Sequence, residues 1–124
     1  MAGELILIVE DNEKNRRLVR DVLQTTGYRT IEAETGEDGV RLAKEHRPAL
    51  VLMDIQLPGI DGVTALGQLR ADAGTRAIPV IAVTASAMTH DRQKIMAAGF
   101  DGYQSKPIRV KEFLAAVRAM LDRK

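Results

Sequence analysis

The sequence predicts a doubly wound α/β domain with five parallel strands. Two patterns predict it. Short apolar runs alternate with segments of helical period, the signature of consecutive βαβ units. Three of those runs also end in polar residues, at the carboxyl edge where open parallel sheets gather their functional groups. Leu5-Ile6-Leu7-Ile8-Val9 leads into Glu10 and Asp11, Ala49-Leu50-Val51-Leu52-Met53 into Asp54, and Ile78 to Val83 into Thr84. A fourth, weaker segment around Tyr103 leads into Lys106 and Pro107.

The first strand is apolar throughout, so it is expected to be buried on both faces. A first helix is predicted to start near Asn12 or Lys14, to turn Leu18, Val19, Val22 and Leu23 inward, and to stop at Thr26-Gly27. Tyr28 to Ala33 reads as an edge strand. Gly36-Glu37-Asp38 opens a second helix with Val40 and Ala43 inward, and Pro48 requires it to end before that point. The central strand finishes at Asp54, and Pro58-Gly59-Ile60-Asp61-Gly62 forms a loop. A third helix is expected to place Val63, Leu66 and Leu69 on one face. The fourth runs from about Met88 to Ala98 and ends at Gly99. The fifth has the clearest amphipathic spacing, with Val110, Phe113, Leu114, Val117 and Leu121. Right-handed crossovers then give the flavodoxin-like strand order 2-1-3-4-5, with the ends of the first and third strands side by side. Residues 1–124 read as one domain with no output domain attached.

Composition narrows the function. At 124 residues with 45% apolar content there is enough chain for one core. Aromatics are 3%, so Leu, Ile, Val, Ala and Met must fill that core. A net charge of +1, with basic and acidic residues interspersed, argues against nucleic acid as a partner. The absence of cysteine excludes disulfides, thiolate catalysis and thiolate metal sites, and fits a cytoplasmic protein. No apolar run approaches membrane-spanning length, so no membrane association is expected, and Met1-Ala2-Gly3-Glu4 does not resemble a signal peptide.

The strand ends carry the chemistry. Glu10, Asp11 and Asp54 would crowd three carboxylates together, and such a cluster shifts its pKa values or holds a cation. With only oxygen donors at hand, Mg²⁺ is the expected ion, bound by one or two carboxylates with waters and phosphate oxygens. The like charge predicts that Asp11→Asn raises metal-free stability by about 1 kcal/mol. Thr84 and Lys106 add a hydroxyl and an ammonium, which suit the spread charge of a phosphoryl group. Asp54 would be the nucleophile, forming an aspartyl phosphate. Each residue also has a plainer role available. Glu10-Asp11-Asn12 can cap the first helix, Thr84 can end a strand, and Lys106 can lie on the surface. Asp54 resists such a reading, because an ionised acid at the end of a buried strand needs a partner. Gly59-x-x-Gly62 lacks the spacing of a nucleotide fingerprint, and His46 and His90 read as solvated.

Together these segments resemble the receiver domain of two-component response regulators. The carriers are Ile6 to Asn12, Leu52 to Gly62, Val83-Thr84-Ala85 and Lys106-Pro107. Within the family the stand-alone, single-domain kind is the better match, and a receiver cut from a hybrid histidine kinase is the alternative. The resemblance implies a signalling protein rather than an enzyme. Asp54 would accept a phosphoryl group from a histidine kinase or a histidine phosphotransfer protein. Asp11, Asp54 and the backbone carbonyl of Gln56 would bind Mg²⁺, or Mn²⁺ in its place, with Glu10 acting through a water. Thr84 and Lys106 would hold phosphoryl oxygens, and Thr84, Ala85 and Tyr103 would form the switch. The Lys106–Pro107 bond is expected to be cis, and the chain is expected to be a monomer. Gln56 and Ser86 would flank the water that hydrolyses the phosphoryl group. A haloacid-dehalogenase-type phosphatase shares the Asp, Mg²⁺, Thr and Lys. It also needs an acidic group two residues after the nucleophile, and the Gln56 amide cannot transfer that proton.

Overall fold

The computed structural model describes residues 3–85 and 89–122. Among them five strands and five helices alternate: β1 Leu5–Val9, α1 Glu13–Thr25, β2 Arg29–Ala33, α2 Gly36–His46, β3 Leu50–Asp54, α3 Gly62–Ala71, β4 Val80–Thr84, α4 Thr89–Ala97, β5 Gly102–Ser105 and α5 Val110–Asp122. All four strand pairings are parallel, and the order is β2-β1-β3-β4-β5, as the sequence predicts. Ser86 and the side chain of His90 fall outside the described residues, whereas His46 is exposed.

Successive side chains of a strand point to opposite faces of the sheet, and this produces two cores. Leu7, Val9, Val51, Met53, Val80 and Ala82 meet α2, α3 and α4 through Val40, Ala43, Leu66, Leu69 and Ile95. Ile6, Ile8, Leu50, Leu52, Ile81 and Val83 meet α1 and α5 through Val19, Leu23, Phe113 and Val117. Because β1, β3 and β4 are covered on both sides, their sequences are continuously apolar rather than alternating. No described helix is long and apolar enough to cross a membrane.

Three residues expected to face inward are exposed instead: Leu18 at 44%, Val63 at 41% and Val110 at 46%. Leu18 lies about 100° of helix rotation from Val19, on whose side α1 packs, and Val63 lies at the edge of the buried stripe of α3, about 60° from Leu66 but about 120° from Leu69 and about 160° from Ala65. Val110 lies on the apolar face of α5. It opens the helix, however, one turn before the first buried position, Phe113.

Arg47 follows α2 in the left-handed region, with φ 45° and ψ 64°, and its N–H donates to the Ala43 carbonyl. An L side chain pays for that backbone, whereas glycine does not. Arg47→Gly is therefore expected to stabilise the fold by about 1 kcal/mol, seen as a higher urea midpoint with an unchanged slope.

Candidate functional site

Strand register builds the site. Val9 pairs with Met53, Asp54 with Val83, and Thr84 with Ser105. The residues just past or at these positions are Glu10, Asp54, Thr84 and Lys106, so four consecutive sheet positions deliver their side chains to one edge. Glu10, Asp54 and Thr84 are buried, at 5%, 5% and 1% exposure, and Lys106 is half-buried. Asp11 is exposed at the rim.

Each carboxylate is held from two directions. The Glu10 N–H donates to the Ala33 carbonyl of β2 at 3.0 Å, and Glu10 Oε2 accepts from the Asn12 N–H at 3.2 Å. Asn12 itself caps α1, its side chain accepting from the Asn15 N–H at 3.0 Å. Asp54 Oδ1 accepts from the Gln56 N–H at 3.1 Å, which fixes the first turn of the β3–α3 loop. Lys106 Nζ lies 2.7 Å from Glu10 Oε1 and 3.0 Å from Asp54 Oδ2, so one ammonium bridges both acids. The Lys106 N–H donates to the Thr84 carbonyl at 2.8 Å, and the Lys106–Pro107 bond is cis.

The charge balance is uneven. Burial, and then the hydrogen bond and like charge of Asp54, push the Glu10 carboxyl up to about 7. Burial opposes the charge on Lys106, but its bonds to Glu10 and Asp54 outweigh that and raise its pKa. The strain of crowded carboxylates therefore centres on Glu10. The sequence spreads that strain over all three acids, whereas Asp11 is exposed and screened by solvent, so Asp11→Asn should relieve less than about 1 kcal/mol.

Oxygens of Glu10, Asp11 and Asp54 all lie within 4.8 Å of one another. A set of three hard donors, one with its pKa raised by burial and then by a neighbouring acid, fits a divalent cation such as Mg²⁺. Beside it, a cleft of about 380 Å³ is lined by Ile55, Gln56, Val63, Thr84, Lys94, Ile95 and Ala98. Lys94 is not legible from sequence, because nothing in a helical segment says which residue lines a cleft shared with a neighbouring loop. Nor is Arg16, whose guanidinium donates to the Glu10 carbonyl at 2.9 Å.

The loop between Asp54 and α3 closes tightly. The Gly62 N–H donates to the Ile55 carbonyl at 2.9 Å, and a Cβ on Gly62 would run into the Asp54 carbonyl oxygen and sit 2.9 Å from Ile55 Cα. All of these are backbone atoms that cannot rotate away. Gly62→Ala is therefore expected to destabilise the fold by about 1–3 kcal/mol, checked by thermal melting.

Comparison with known proteins agrees with this architecture. Residues 6–118 match the response regulator receiver domain family. The polar-differentiation response regulator DivK of Brucella anthropi is 47% identical over 116 residues, 94% of each chain. The receiver domain of sensor histidine kinase PA1611 from Pseudomonas aeruginosa, solved with a magnesium ion coordinated in its active-site cleft, superposes with a TM-score of 0.92. It is 35% identical and covers 98% of this chain and all of its own. A putative response regulator from Chloroflexus aurantiacus superposes with a TM-score of 0.93 at 28% identity, covering 98% of this chain and 99% of its own. With its acid pair, buried aspartate, threonine and lysine on one sheet edge, and with these relatives along nearly its whole length, the chain belongs to the response regulator receiver domain family of two-component signalling and is closely related to DivK.

Proposed function

We propose that the chain receives a phosphoryl group on Asp54 from a histidine kinase or a histidine phosphotransfer protein. It would then relay that group or bind partners differently while carrying it. The observation that carries this reading is the bridge from Lys106 to both Glu10 and Asp54 at a buried strand end. An Asp54 oxygen attacks phosphorus and forms a P–O bond. The bond from phosphorus to the donor imidazole, or to the carboxylate of an acyl phosphate, breaks, and that group leaves with the electron pair. Lys106 neutralises charge on the incoming phosphoryl oxygens, and Thr84 offers its hydroxyl from a position closed to solvent. Asp11, Asp54 and the Gln56 carbonyl would hold Mg²⁺, or Mn²⁺ in its place, with Glu10 acting through a water. When bound, the ion supplies positive charge to the carboxylates and phosphoryl oxygens. The chain would act as a signalling protein whose only chemistry is its own phosphorylation and dephosphorylation, and we place it in the cytoplasm as a monomer.

The signal would leave through Thr84, Ala85 and Tyr103. Tyr103 is half-buried on β5, with the Arg92 guanidinium of α4 5.5 Å from its ring centre. Movement of Thr84 toward the phosphoryl group would bias two packings of that region, in proportion to the contacts that differ between them. Incubation with acetyl phosphate and Mg²⁺ tests the reading. Acid-labile label that disappears when Mg²⁺ is chelated is the expected result. Labelling that is acid-stable or indifferent to chelation would refute it.

A further inference from the structure

Glu10 and Asp11 stand on a loop whose direction is set from β2. The Glu10 N–H is held by the Ala33 carbonyl. The Glu10 carbonyl is held by Arg16 Nη1 at 2.9 Å, one turn into α1. Arg16 is anchored in turn, because its Nε donates to Glu32 Oε1 at 3.1 Å on β2. Arg20 approaches the other oxygen, Glu32 Oε2, at 3.6 Å, so that carboxylate is itself held. The Arg16 side chain is only 14% exposed. A planar guanidinium can make both bonds at once because its donors diverge in a fixed fork.

We propose that Arg16 is a positioning residue for the divalent-cation site. It acts through the Glu10 backbone and fixes the direction in which the Glu10–Asp11 acid pair presents its oxygens. This rests on the reading of Glu10, Asp11 and Asp54 as a Mg²⁺ site. Groups that orient metal ligands without touching the metal commonly contribute about 10- to 100-fold to affinity. The sign of the effect separates this role from simple electrostatics. Arg16 is a cation near a cation site, so by Coulomb's law alone its removal would tighten Mg²⁺ binding.

The test is calorimetric titration of Mg²⁺ into the native chain, Arg16→Ala, Arg16→Lys and Arg17→Ala at pH 8, with melting temperatures measured beside it. Arg17 is an exposed neighbour that pairs with Glu13, and its substitution controls for loss of one positive charge. Arg16→Ala is expected to weaken Mg²⁺ binding by about 10-fold. Arg16→Lys is expected to weaken it nearly as much, since the shorter lysine carries its donors on one nitrogen and does not span the separate positions from which Arg16 Nε and Nη1 reach Glu32 and the Glu10 carbonyl. Arg17→Ala should bind like the native chain. If the Ala variant does not fold, the charge-matched Lys variant decides. Native or tighter binding in folded Arg16 variants overturns the proposal, even where melting temperatures drop. Absence of Mg²⁺ binding by the native chain would instead overturn the underlying site, and this proposal with it.

Discussion

Asp54→Asn is expected to take up no acid-labile phosphoryl group from acetyl phosphate or from a phosphorylated histidine protein. Under the proposed function the reacting atom is a carboxylate oxygen at the end of β3. Asp54 is 5% exposed and has one oxygen on the Gln56 N–H and the other on Lys106. Asparagine keeps the shape but replaces one oxygen with an NH₂ group and removes the negative charge, so no comparable nucleophile remains. Two other acids are close enough to compete. Asp11 lies in solvent at the rim, and Glu10 is held by Asn12 and Lys106. Neither combines burial with a position at the end of the central strand. The loss should be complete, while the variant melts at or above the native temperature, because one of the crowded charges is gone. Radiolabelling with acid and base stability checks it, and equal labelling of the variant would remove Asp54 from its role.

Glu10→Gln is expected to raise the stability of the metal-free protein at pH 8 and to reverse that advantage in Mg²⁺. The Glu10 carboxyl has its pKa raised from 4.5 to about 7, by burial first and by Asp54 second. A group whose folded pKa lies above its unfolded value favours the folded state below about pH 4.5. That contribution is lost as pH rises through about 7. Ionised Glu10 therefore destabilises the metal-free fold, by an amount on the order of 2 kcal/mol at pH 8. The difference between variant and native protein should vanish near pH 4.5, grow toward pH 7 and level off above it. Native affinity for Mg²⁺ should follow the opposite course and fall as the solution is acidified below about pH 7, because protons and cations compete for the same carboxylates. Melting curves from pH 4.5 to 8, with and without Mg²⁺, check both halves. A stability difference independent of pH would show that Glu10 is not the strained acid.

The order of the strands and the gathering of Glu10, Asp11, Asp54, Thr84 and Lys106 at one edge were legible in the sequence. Buried parallel strands are written as unbroken apolar runs, and right-handed crossovers leave few ways to arrange them. Strand ends are local features, so a polar residue that ends such a run identifies itself. The direction in which each helix leans is not local. Leu18, Val63 and Val110 match an apolar period, yet only the packed sheet decides which stripe of α1 and α3, and which turn of α5, is covered. The division of charge within the site is likewise a tertiary matter. Sequence placed Glu10 and Asp11 side by side as equals. Folding buried Glu10 against Asp54 and Lys106 and left Asp11 in water, because adjacent residues leaving a strand point in opposite directions. The Arg16 bond to the Glu10 carbonyl, anchored by Glu32 sixteen residues away, joins α1, β2 and the acid loop. No periodicity records a contact between a side chain and a distant backbone oxygen; it exists only once the sheet has brought β2 beside β1.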